Sequence, residues 1–171
     1  MKRIYTTILT IFIAVSALAQ GWPENYGGVM LQGFYWDSFK DSKWKTIEAQ
    51  ADELAQYFKL IWVPQSGKCN EAKNMGYTPV YYFNQNSSFG TEAELRSMIS
   101  TFKSKGLGTI ADVVVNHRNN IGVGGSWVDY PAETYNGVTY QMKSTDICAD
   151  DDGGKTKTWA TANGYSLSSA N

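Results

Sequence analysis

GTIADVVVNH, residues 108–117, is the stretch on which the reading of the fold turns. Ile110, Val113, Val114 and Val115 are apolar and mostly β-branched, while Asp112, Asn116 and His117 interrupt or follow them. A strand buried on both faces reads as a near-continuous apolar run, so the expectation is one buried strand over residues 109–115. An ionisable Asp112 inside it requires a partner, because burying a lone charge is costly. Polar groups gathered at the C-terminal end of such a strand are where α/β folds place their sites. Function is therefore to be sought at this edge.

Upstream, VMLQGFYW (residues 29–36) reads as a first buried strand, broken only by Gln32 and Gly33. Ser42 then offers an N-cap, and apolar residues fall at Trp44, Ile47, Ala51, Leu54 and Phe58. Steps of about three and four keep one face of a helix of about four turns buried. LIWV (residues 60–63) follows as a second strand ended by Pro64, which cannot donate to a ladder. Residues 65–90 carry Gly, Pro and many Asn, and a connection of 26 residues is long enough to suggest a functional loop. Thr91 and Glu94 form a capping box, and Leu95, Met98, Ile99 and Phe102 give the buried face of a second helix. Gly106 suits its left-handed cap.

The order strand, helix, strand, helix, strand with short returns calls for right-handed crossovers and a parallel sheet. Doubly wound sheets and barrels both satisfy it. No G-x-G-x-x-G turn follows any of the three strands, which argues against dinucleotide binding.

Several of these stretches carry a resemblance. DVVVNH (112–117) is similar to the first signature block of the alpha-amylase family of glycoside hydrolases, on the third barrel strand. LQGFYWD (31–37), LIWVPQS (60–66), GYTPVYYF (76–83), FGTEAELRSMI (89–99) and ICADDDGG (147–154) agree with that family in order and spacing. The resemblance runs from about residue 28 to about residue 154. It implies the first three strands of a TIM (β/α)8 barrel over residues 20–117, followed over 118–171 by part of an irregular inserted domain associated with calcium. From about Lys155 the match ends, and the remainder reads as polar tail.

Residues 1–19 have the form of a secretory signal: Lys2 and Arg3, an apolar stretch over residues 4–18, and the small-x-small site Ala17-Leu18-Ala19. The competing reading is an uncleaved anchor, but the apolar stretch is short of the roughly 20 residues that span a bilayer. Export without a stable membrane anchor is the expectation. Removing Lys2 and Arg3 leaves 13 basic against 16 acidic residues, a net charge of −3. With no basic cluster, nucleic-acid binding is disfavoured. The 43% apolar and 14% aromatic content suffices for a packed core. Cys69 and Cys148 are the only cysteines, and an oxidising destination would permit a bond or leave two thiols. With one histidine they do not make a zinc site.

Each candidate site residue has a plain structural alternative. Asp112 reads as a satisfied buried carboxylate or, by the resemblance, as an aspartate of the active-site floor that is not one of the catalytic acids. Asn116 reads as a turn residue or, by the resemblance, as a Ca2+ ligand, with Asp151 in the run 150–152 as another. Ca2+ takes six to eight oxygens, which amides and carboxylates supply. His117 and Tyr77 read as structure or, by the resemblance, as groups touching the sugar ring of an α-glucan polysaccharide substrate. Thr78-Pro79-Val80 departs from the acidic residue many members carry there.

Retaining glycoside hydrolysis needs two carboxylates about 5–5.5 Å apart. In the family the nucleophile follows a G-F-R-x-D block, and no such block occurs in residues 1–171. None of the three catalytic acids is therefore expected here. The resemblance implies a secreted alpha-amylase cleaving α-1,4-glucosidic bonds, with this chain reading as an N-terminal portion. The alternative is a non-catalytic glucan- or calcium-binding module.

Overall fold

The structure, a computed structural model, describes residues 26–119, 130–149 and 154–168. The expected signal over residues 1–19 and the ligand candidate Asp151 lie outside the described residues.

Three strands, β1 (Met30–Gln32), β2 (Leu60–Val63) and β3 (Gly108–Ala111), pair in parallel in that order. Met30 stands opposite Leu60, Leu60 opposite Gly108 and Val63 opposite Ala111. Helices α1 (Trp44–Ala49) and α2 (Ala51–Tyr57) connect the first pair, and α3 (Glu92–Ser104) connects the second. This is the expected parallel strand–helix order.

The core lies between sheet and helices. Trp44, Ile47, Ala51 and Leu54 from α1 and α2 meet Ile61 and Val63 of β2 and Leu95, Met98 and Phe102 of α3. Trp44 is fully buried against Phe89, ring centroids 5.2 Å apart, and its backbone N–H donates to the Phe89 carbonyl at 3.0 Å. The loop of residues 65–90 thus reaches back into the core. The capping box forms as expected: Glu94 N–H donates to Thr91 Oγ1 at 3.3 Å, and Thr91 N–H to Glu94 Oε2 at 2.8 Å. Gly106 follows the helix with φ +75°.

Several boundaries differ from expectation. The third strand ends at Ala111 rather than residue 115, because its partner β2 stops at Pro64. Asp112 N–H still donates to the Val63 carbonyl at 3.3 Å, the last hydrogen bond between the two strands. Asp112 therefore sits just past the strand, and Val113 and Val115 are 67% and 77% exposed rather than buried. The first strand likewise stops at Gln32 of the expected 29–36, and the chain turns at Asp37, whose φ is +65°.

The first helix is two. Gln50, at φ −93° and ψ 3°, separates α1 from α2, a break that the apolar spacing passes through unaltered. Its N-cap is Lys43, not Ser42, whose N–H is committed to the Ser38 carbonyl at 2.8 Å in the preceding 3-10 turn. Ile99 is exposed, one residue round the helix from the buried Met98.

Beyond β3, strands β4 (Glu133–Tyr135) and β5 (Val138–Tyr140) form an antiparallel hairpin. Its two-residue turn, Asn136-Gly137, has φ +51° and +78°, the left-handed pair of a type I′ turn. Lys155–Ala162 is a helix, α4, not the polar tail expected there. Trp159 supports it by stacking on Tyr165 at 5.7 Å, and Ala160 is buried. Cys69 and Cys148 are both free, the first buried and the second exposed.

Candidate glycan site at the strand ends

Three expected site residues come together at the C-terminal end of the sheet. Tyr77 is brought there by Gly76, whose φ of +97° lies in the glycine-favoured region. A Cβ on Gly76 would stand 2.6 Å from the Gln65 carbonyl oxygen, so only glycine lets this loop lie against the end of β2. Asn74 fixes the same turn by accepting from Gly76 N–H at 2.7 Å.

From that position the Tyr77 hydroxyl donates to Asp112 Oδ2 at 3.1 Å. Burial first, and then the Asp112 charge, push the Tyr77 phenol above its ordinary range. It therefore stays protonated and remains a donor. Asp112 finds the partner that its position requires, and it is a phenol rather than a base.

His117 Nε2 lies 2.7 Å from the Tyr77 carbonyl oxygen. A carbonyl only accepts, so Nε2 carries the proton in this arrangement. Nδ1 is then the ring nitrogen left for a ligand. Tyr77 thus joins both partners, Asp112 through its hydroxyl and His117 through its backbone.

Trp36, at the turn after β1, is a member of the site that the sequence reading did not single out. Its ring lies parallel to that of Tyr77, 5° between planes and 6.1 Å between centroids, and it is 70% exposed. A large exposed aromatic between turn residues was its available signal. Beside this group a cleft of about 140 Å³ opens between the ends of β2 and β3, lined among others by Gln65, Ser66, Tyr82 and Asp112. Aromatic faces with amide, hydroxyl and carboxylate groups around them suit a neutral polyhydroxylated ligand.

Asn116 is exposed, and no group of three or more His, Cys, Asp or Glu able to hold a metal ion occurs among the described residues. One amide oxygen falls well short of the six to eight that Ca2+ takes. The described residues alone do not build a calcium site.

Arg118 and Glu133 were also missed. They form an ion pair at 3.0 Å with side chains only 5% and 8% exposed. Arg118 follows the histidine in sequence, but its partner stands fifteen positions away. No local pattern connects them.

No protein-family model matches the chain. Among curated proteins, the chloroplastic alpha-amylase 3 of Arabidopsis thaliana is 35% identical over 92 residues, covering 53% of this chain and 10% of that protein. The alpha-amylase of Bacillus licheniformis is 28% identical over 131 residues, covering 68% of this chain and 26% of that protein. Among solved structures, a variant of alpha-amylase I from Eisenia fetida in complex with maltohexaose superposes with a TM-score of 0.51 at 25% identity. That match covers 73% of this chain and 26% of the other. This chain spans between a tenth and about a quarter of the length of these relatives. In sequence and in fold, the chain resembles the alpha-amylase family of glycoside hydrolases.

Proposed function

We propose that this chain supplies the first three strands, with the two helical crossovers between them, of the barrel of a secreted alpha-amylase, an enzyme cleaving internal α-1,4-glucosidic bonds of starch- or glycogen-type glucans with retention. The observation that carries the reading is the Trp36–Tyr77–Asp112–His117 group at the C-terminal strand ends, in a chain whose relatives are alpha-amylases. The Tyr77 and Trp36 rings offer apolar faces to a glucose unit, and His117 Nδ1 offers an acceptor to a sugar hydroxyl. Asp112 orients Tyr77 through its hydroxyl. Exposed Val29 and Met30 at the start of β1, and Val113 and Val115 after β3, are in this reading edges for further strands.

Chemistry needs more than this group. The bond-breaking step of a retaining enzyme takes a nucleophile and an acid/base at a fixed separation, and Asp112 is committed to Tyr77. The 171-residue chain alone is accordingly expected to release no reducing sugar from soluble starch. Activity above that of an Asp112→Asn control would contradict this. Appearance of activity when the remaining strands are supplied in trans supports the reading. Glucan binding with no activity even then favours a non-catalytic binding module.

The same reading extends to calcium. Asn116 at the strand end and Asp151 in the acidic run 150–152 would be ligands of an ion joining the barrel to the inserted domain. Calorimetry on the folded chain tests it, with Asn116→Ala as control. An absence of heat at millimolar Ca2+ contradicts it.

A further inference from the structure

Arg118 is held on every side. Its Nε–H donates to the Val80 carbonyl at 2.6 Å, and its guanidinium pairs with Glu133 Oε2 at 3.0 Å. Tyr82 and Tyr130 close over it as two ring faces, 4.8 and 4.7 Å from the guanidinium carbon. The Tyr130 hydroxyl completes the enclosure by donating to the Arg118 carbonyl at 3.0 Å. A planar, weakly hydrated guanidinium tolerates such stacking far better than an ammonium.

Glu133 is equally occupied. Its carboxylate accepts the backbone N–H groups of Tyr82 at 2.9 Å, Phe83 at 2.8 Å and Asn84 at 3.3 Å. Three consecutive amides on one carboxylate fix the path of the loop that carries Tyr77. Meanwhile Asn119 N–H donates to the Pro79 carbonyl at 2.7 Å. Residues 77–80 and 117–119 therefore run side by side, joined at 77 to 117, 79 to 119 and 80 to 118.

From this we infer that Arg118 and Glu133 are positioning residues: the pair sets the register in which His117 meets Tyr77, and so shapes the sugar-facing edge from behind without touching the ligand. A desolvated ion pair recovers its hydration cost only when geometry is good and further hydrogen bonds are made, as the Val80 carbonyl and the three loop amides make here. Its single fixed arrangement suits it to hold a register rather than to add adhesion. The part of the inference that concerns glucan rests on the function proposed above; the register itself does not.

The test uses the 171-residue chain and the variants Arg118→Lys and Glu133→Gln. Arg118→Lys keeps the charge but loses the Nε–H bond and the planar stack. One readout is the contact between the His117 ring and Tyr77, by nuclear Overhauser effects and by long-range correlation to the ring nitrogens. The native chain is expected to show one Nε2–H tautomer in contact with Tyr77. Both variants are expected to lose the contact and average the tautomers while far-UV circular dichroism and core contacts around Trp44 persist. Maltohexaose binding, the second readout, is expected to weaken about tenfold per folded molecule. If the contact and tautomer are unchanged in folded variants whose Tyr82–Asn84 amides have lost protection, the inference is overturned. If Arg118→Lys does not fold, Glu133→Gln and Tyr130→Phe decide by the same criterion. A native chain that shows the contact but binds no maltohexaose contradicts the proposed function and leaves the register intact.

Discussion

Two regions of this molecule hold together by different means. The sheet with α1, α2 and α3 is held by burial of large apolar side chains, Trp44, Phe89, Phe102, Ile61 and Met98 all being fully enclosed. The region from His117 on has a hairpin whose second strand is exposed along its whole length, and among the described residues an enclosed Arg118–Glu133 ion pair joins it to the loop before it, Arg118 through the Val80 carbonyl and Glu133 through the amides of residues 82–84. Apolar burial is non-directional and fixes a layer; a satisfied ion pair is directional and fixes a register. The candidate site lies at the seam, with Tyr77 and Asp112 reaching it from the first region and His117 from the start of the second.

The largest expected effect falls on the first region. Trp44→Ala should cost about 3–5 kcal/mol, enough to unfold so small a sheet. The measurement is urea denaturation followed by circular dichroism. Trp44→Phe sharpens the point: Trp44 Nε1 is buried without a hydrogen-bond partner among the described residues, so removing it gives up area without breaking a polar contact. It should cost well under half as much as the alanine change. Arg118→Met, which strands Glu133 in the second region, should cost about 3–5 kcal/mol locally. By hydrogen exchange, the amides of residues 82–84 should open while those of β2 keep their protection. Equal loss in both regions would show that the two are not separable.

A smaller effect belongs to the capping box. Thr91→Ala should cost about 1 kcal/mol. The Glu94 carboxyl is held below its ordinary range, first by the Thr91 backbone N–H and then by Lys45. Its contribution is therefore present above the ordinary glutamate range and is lost as pH falls through the lowered value, where the unfolded chain takes up the proton first. Melting temperature followed from neutral to acid pH should fall less steeply in Glu94→Gln than in the native chain.

The same contrast explains what the sequence made legible. Trp44, Ile47, Ala51 and Leu54 announce a buried face because helical periodicity is local, and the capping box is a four-residue pattern. Strand ends were less legible, since DVVV reads as buried while the end of β3 is set by where its partner strand β2 stops. The helix break at Gln50 leaves apolar spacing intact and so leaves no trace in it. Asn136-Gly137 is a local signal for the hairpin, since that dipeptide suits the left-handed pair of its turn. Of the site, Tyr77, Asp112 and His117 were legible through motif resemblance, and the structure connects them by hydrogen bonds. Glu133 was not, because a carboxylate that receives three amides from a distant loop looks in sequence like any surface glutamate.

The most direct measurement is a titration of the folded 171-residue chain with maltohexaose, followed residue by residue through backbone amide shifts. Saturable changes centred on Trp36, Tyr77, Asp112 and His117 are expected, with their loss in His117→Ala at unchanged melting temperature. No saturable change in a folded sample, or changes confined to the exposed rings of Phe83, Tyr135 and Tyr140 away from these residues, would contradict it.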